Sequence, residues 1–164
     1  MKQDQPNVDN EARADGAPPN VCFGCGDANA DGMHLHMERD EAAQRVRGTL
    51  RLGPRYQGAP GMIHGGIIAL LLDEALGKVC RFSDVRAVTA ELTVEYLRPI
   101  KVDQEIHIEA FQVERKERNL FHEGEIRDGE GRVLARGRGR FVVVDPEKYR
   151  RVTGIELPAP PSRV

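Results

Sequence analysis

Tryptophan is absent from the 164-residue chain, and its aromatic set is only five Phe and three Tyr. A core built from such a sequence must be modest and aliphatic. An excess of charge of one sign is missing too. With 24 Lys and Arg against 26 Asp and Glu, nothing marks a dedicated nucleic-acid or membrane-surface binder. Three cysteines, Cys22, Cys25 and Cys80, are too few and of the wrong parity for a closed disulfide framework. Long apolar runs are lacking as well. The longest, Ile67 to Leu72, falls far short of a membrane span and ends in Asp73-Glu74. The first residues, Met1-Lys2-Gln3-Asp4-Gln5-Pro6, have no signal-peptide character. These absences point to a soluble protein of the reducing cytoplasm. What remains, 40% apolar and 30% charged residues, is low for a globular chain yet too apolar for a wholly disordered one. The length allows one domain.

Six of the ten prolines sit near the ends: Pro6, Pro18, Pro19, Pro158, Pro160 and Pro161. Residues 1–20 and 151–164 are therefore expected to be loosely packed or disordered tails around a folded unit over 21–150. Inside that unit, Gly65 to Phe82 is apolar on nearly every side, as in a helix with protein packed on most of its faces. Ala87 to Arg98 alternates cleanly instead. Val88, Ala90, Leu92, Val94 and Tyr96 are expected on one face, and Thr89, Glu91, Thr93 and Glu95 on the other. Further strands are expected near 32–39, 43–52, 104–115, 118–128 and 132–144, with Asp128-Gly129-Glu130-Gly131 as a hairpin turn. The apolar phase slips between Ala110 and Phe111, which predicts a bulge or strong bend there. The fold class is α+β, a curved antiparallel sheet wrapped around one central helix, the hotdog architecture.

Chemistry concentrates at the start of that helix and along it. His64 precedes Gly65-Gly66, and two glycines in a first helical turn leave backbone N–H groups uncovered at the positive end of the dipole. Such groups can hold a carbonyl oxygen that becomes an oxyanion. Asp73 is a carboxylate within an apolar stretch, so it is either partnered or kept for acid–base work. Gly65 and Asp73 are eight residues apart, and the helical rise separates them by about 12 Å. If both act on one carbonyl carbon, they must come from two copies of the chain.

Gly61-Met62-Ile63-His64-Gly65-Gly66-Ile67-Ile68-Ala69-Leu70-Leu71-Leu72-Asp73-Glu74 resembles the central-helix signature of the PaaI-type acyl-CoA thioesterases, a branch of the hotdog superfamily. The strand Val88 to Pro99, with its Tyr-x-Arg-Pro ending, is similar too. So is Cys22-Phe23-Gly24-Cys25-Gly26 with Asn29 and Gly32-Met33-His34-Leu35. The resemblance covers residues 22–145. It implies that the Gly65 N–H polarises the thioester carbonyl, with His64 beside it and Gly66 next in the turn. Asp73 of a neighbouring subunit would be general base or nucleophile, and Thr89 would help place water or carboxylate. Many relatives carry Asn six residues before the His; this chain has Gly58, and Gln57 is the candidate replacement. The implied activity is hydrolysis of acyl-CoA or aryl-CoA thioesters by a homodimer or dimer of dimers. No metal or organic cofactor is needed for that chemistry.

Other constellations carry weaker readings. Cys22-x-x-Cys25 with His34 and His36, if the latter pair shares a strand face, makes a Cys2His2 zinc site geometrically allowed, but the expectation is no metal. Arg132, Arg136, Arg138 and Arg140 alternate with apolar residues. They are read as a face paired with Glu123 and Glu125, the alternative being a strip for coenzyme A phosphates that includes Arg138. Cys80 reads as a packed helix residue, and His107 and His122 as surface residues. Two other functions fit the same fold: an acyl-thioester dehydratase or hydratase, and a non-catalytic acyl-CoA-binding sensor.

Overall fold

The structure, a computed structural model, describes residues 19–157. The expectations for 1–18 and 158–164 lie outside the described residues. Six antiparallel strands form one sheet: β1 (Glu38–Asp40), β2 (Arg45–Arg51), β3 (Ala87–Tyr96), β4 (Glu105–Lys116), β5 (Asn119–Asp128) and β6 (Val133–Val143). Their order is β1-β2-β4-β5-β6-β3, so β3 lies at one edge although it precedes β4 in the chain. The long helix α1 (Gly65–Val79) packs against β2 through β6. The sheet-around-helix architecture expected from the sequence is the one observed.

The core is aliphatic, as a chain without Trp requires. Leu71, Leu72, Ala75, Leu76 and Val79 of α1 meet Ile106, Ile108, Leu120, Ile126, Ala135 and a single aromatic, Phe141. Small residues on the inner sheet face bring the helix close. A Cβ at Gly137 would stand 3.2 Å from Leu72 Cβ, closer than ordinary contact. After Val79 the helix tightens into a 3-10 turn over Cys80–Ser83, and the Cys80 N–H bonds Gly77 O instead of Leu76 O. Leu76 O is taken by His122 Nδ1 at 2.8 Å, which satisfies a carbonyl that the tightened turn releases. His122 is thus 1% exposed and stacked on Phe141, not a surface residue as expected. Its place on β5 between Leu120 and Gly124 turns it inward. His107 does face outward, where it bonds Thr49 Oγ1 at 2.9 Å.

Four further expectations shift. The bulge of β4 lies at Val113, between Gln112 and Glu114, because the inward alternation persists through Ala110 and Phe111 begins no slip. β3 carries its own bulge between Thr89 and Glu91, which the clean sequence alternation did not disclose. Of the expected 32–39 strand only Glu38 and Arg39 are strand, in β1: His34 has left-handed backbone (φ 52°), and Met33 and Leu35 N–H groups bond Phe23 O and Gly24 O instead. α2 (Pro146–Thr153), begun on an Asp145 cap, carries helix three residues past the expected boundary at 150, with none of its residues buried. The hairpin at 128–131 is as expected, with Asp128 Oδ1 accepting from Glu130 and Arg132 N–H.

Candidate functional site

The loop before α1 is held by its own backbone. Gly58 N–H bonds Met62 O at 2.9 Å, His64 N–H bonds Tyr56 O at 2.9 Å, and Gln57 Oε1 accepts from Gly61 N–H at 2.8 Å. His64 then caps the helix with an extended backbone (φ −63°, ψ 136°), its Nδ1 accepting from Gly66 N–H at 2.9 Å. That bond places the ring proton on Nε2. It also corrects one expectation: of the two glycine N–H groups at the helix start, Gly66's is spent on His64. Gly65's has no partner among the described residues. Gly65 O, in turn, accepts from Tyr96 Oη at 3.0 Å, which fixes the first peptide of the helix from the neighbouring strand.

Gly58 explains itself sterically. A Cβ there would come within 2.9 Å of His64 Cα and 3.1 Å of its ring, so the loop fits this histidine only with glycine. Gln57 is bound into its own loop through Oε1.

Two turns along α1, Asp73 Oδ1 accepts a hydrogen bond from Thr89 Oγ1 at 2.9 Å. The β3 bulge makes this possible. Ala90 is the extra residue, so Thr89 pairs with inward-facing Phe141 while Glu91 pairs with outward-facing Arg140. Strict alternation would have sent Thr89 to the far face with Glu91. Asp73 is half-buried, and its partner is the hydroxyl.

The structure thus gathers His64, Gly65 and Gly66 at one end of α1, and Asp73 with Thr89 further along it. Arg138 is elsewhere. It lies on the sheet face away from α1, 3.3 Å from Glu123, and Arg136 and Arg140 pair likewise with Glu125 and Glu91. The arginine face is the paired ladder, with Arg132 in the turn bound to Asp128. Sequence reasoning did not single out Tyr96 as a site residue, although its Tyr-x-Arg-Pro setting was a usable signal. Cys80 is buried, and burial pushes its thiol up to about 12, which suits packing and not nucleophilic attack. Cys22 and Cys25 meet Glu74 of α1, whereas His34 bonds back to Asn29 O and His36 lines a groove on the outer sheet face with Arg47 and His107. Neither His34 nor His36 joins the group that Cys22 and Cys25 form with Glu74, so the Cys2His2 set that spacing allowed is not assembled.

Residues 60–135 match the family model of the thioesterase superfamily. The rat acyl-coenzyme A thioesterase THEM4 is 29% identical over 118 residues, 71% of this chain and 51% of that protein. Its Bos taurus counterpart is 34% identical over 97 residues, 58% and 40% of the two chains. The chain spans about half the length of these relatives or less. A solved thioesterase superfamily protein is 28% identical with a TM-score of 0.71, over 82% of this chain and 71% of the other. A Streptococcus mutans protein bound to acetyl CoA shares the fold at a TM-score of 0.59 and 21% identity, over 62% and 82%.

Proposed function

We propose that this chain, a hotdog protein similar to the thioesterase superfamily over residues 60–135, hydrolyses acyl-CoA or aryl-CoA thioesters to free acid and coenzyme A. The observation that carries this reading is the pair of half-sites on α1: a glycine N–H at the positive helix end, and a carboxylate held by a hydroxyl. The thioester carbonyl oxygen accepts from Gly65 N–H, where the dipole stabilises the charge that develops on attack. Asp73 takes a proton from water as the water adds to the carbonyl carbon, or adds to that carbon itself. Thr89 keeps the carboxylate aimed in either case. The intermediate collapses and expels the coenzyme A thiolate, which gains a proton from Asp73 or solvent; where Asp73 was the nucleophile, water then hydrolyses the acyl–Asp73 anhydride to free acid and restores the carboxylate.

About 12 Å of helix separates the two halves, so each site takes its carbonyl-binding end from one copy and its Asp73 from another. The edge strand β3 suits such pairing: Val88 and Tyr96 on it and Leu97 just beyond it are 48%, 54% and 44% exposed. A homodimer is the minimal active unit, a dimer of dimers its extension, and the cytoplasm its compartment. Retention of Asp73, Thr89 and an unpartnered Gly65 N–H favours hydrolysis over mere acyl-CoA sensing.

Thiol release from a panel of acyl-CoAs tests the reading. The wild type is expected to turn over at least one class, and Asp73→Asn to lose about 10²-fold or more while keeping its oligomeric state. Near-normal turnover by Asp73→Asn would overturn it.

A further inference from the structure

The Cys22-Phe23-Gly24-Cys25-Gly26 loop is absorbed by nothing in the hydrolytic site. It is nevertheless closely built. Gly26 N–H bonds Cys22 O at 2.9 Å, and a Cβ at Gly26 would come within 2.4 Å of that same oxygen, so only glycine permits the curl. Cys22 N–H bonds Asn20 Oδ1 at 3.1 Å, and the Asn20 side chain reaches Cys25 O at 3.4 Å. Phe23 O and Gly24 O accept from Met33 and Leu35 N–H, both at 2.8 Å. The effect is to aim both sulfurs at one point on α1. There stands Glu74, with Cys22 Sγ 3.4 Å from its Oε1 and the two sulfurs and one carboxylate oxygen all within 4.8 Å of one another. The carboxylate packs so closely beneath the loop that a Cβ at Gly24 would fall on it, 2.4 Å from Oε1.

We propose that Cys22, Cys25 and Glu74 form a binding site for a soft divalent cation of the zinc type, which ties the segment before β1 to the central helix. Donor atoms of one tetrahedral zinc ion stand roughly 3.3–3.8 Å apart, given metal–ligand bonds of about 2.0–2.3 Å, and the Cys22–Glu74 separation already has that size. Two thiolates favour zinc over calcium or magnesium, which take oxygen ligands. Three protein donors are the complement that leaves one tetrahedral position for water or another group. Three negative charges would face the dication's two, and Lys78, buried one turn beyond Glu74, adds positive charge on the same side of the helix. The donor set differs from the Cys2His2 combination that spacing allowed: the helix supplies the third ligand, not His34 or His36.

The test uses the full chain, untagged and kept under a phosphine reductant, equilibrated with Zn2+ and dialysed. Elemental mass spectrometry is expected to find about one zinc per chain. Competition with a chromophoric chelator is expected to show affinity falling more than about 100-fold in Cys22→Ser, Cys25→Ser and Glu74→Gln. Circular dichroism should show each variant folded. Co2+ in place of Zn2+ is expected to give a thiolate charge-transfer band that disappears in Cys25→Ser. Failure of the reduced wild type to retain zinc would overturn the proposal, as would affinity unchanged by Cys25→Ser or by Glu74→Gln. None of these readouts depends on thioester turnover.

Discussion

At the scale of single residues, two side chains show how position overrides pattern. Thr89 reads from alternation as an outward residue, yet one extra residue at Ala90 turns it onto Asp73. Removing its hydroxyl should cost about tenfold in kcat, the loss of one hydrogen bond to a charged group, while Thr89→Ser restores most of it. Equal turnover by Thr89→Ala and wild type would show that the hydroxyl does not aim the carboxylate. His122 is the second case. Its polar character and strand setting read as surface, and only the helix end explains it: a carbonyl released by a 3-10 turn needs a donor. Burial lowers the His122 pKa from its usual value, with the bond to Leu76 O opposing in part. The folded chain therefore resists a proton that the unfolded chain accepts. His122 thus supports stability fully above about pH 6.5, and progressively less as pH falls below it. Thermal melts between pH 7.5 and 5 should show a smaller loss of Tm in His122→Leu than in wild type. Parallel losses would contradict the assignment.

At the scale of elements, the sequence disclosed the parts whose signal is local. The apolar run of α1, the five long strands and the Asp128-Gly129-Glu130-Gly131 hairpin all declare themselves through composition and period. So did the His-Gly-Gly start and the Asp73 carboxylate. The parts that stayed hidden depend on contacts far along the chain. The segment before β1 curls because Met33 and Leu35 bond the cysteine loop, and no periodicity records that. The bulge at Val113 was foreseen in kind and misplaced by a few residues, since Phe111 looks apolar without facing the core. Glycines of β5 and β6 look like weak strand formers, but they set the depth at which α1 sits. Gly137→Val should push Leu72 outward and destabilise by about 1–3 kcal/mol, read as a lower urea midpoint. An unchanged midpoint would mean that the helix has room to spare.

At the scale of the whole molecule, a chain poor in aromatics builds a small aliphatic core and leaves its candidate site divided along one helix. The separation of Gly65 from Asp73 was legible from the sequence, because helical rise is fixed. The identity of the group beside each was not: Tyr96 on Gly65 O and Thr89 on Asp73 needed the register of β3. Completion by a second copy is the claim on which the proposed function rests, and mixing two inactive variants examines it. Gly65→Pro removes the carbonyl-binding N–H at the first helical position, where proline is tolerated, and the extended backbone of His64 suits a following proline. Asp73→Asn removes the acid–base group. After joint unfolding and refolding, random pairing puts one intact site in every mixed dimer. The mixture should then regain about a quarter of wild-type thiol release, although each variant alone is nearly silent. Recovery near that level would place Gly65 and Asp73 of one site on two chains; a mixture as inactive as its components would contradict it.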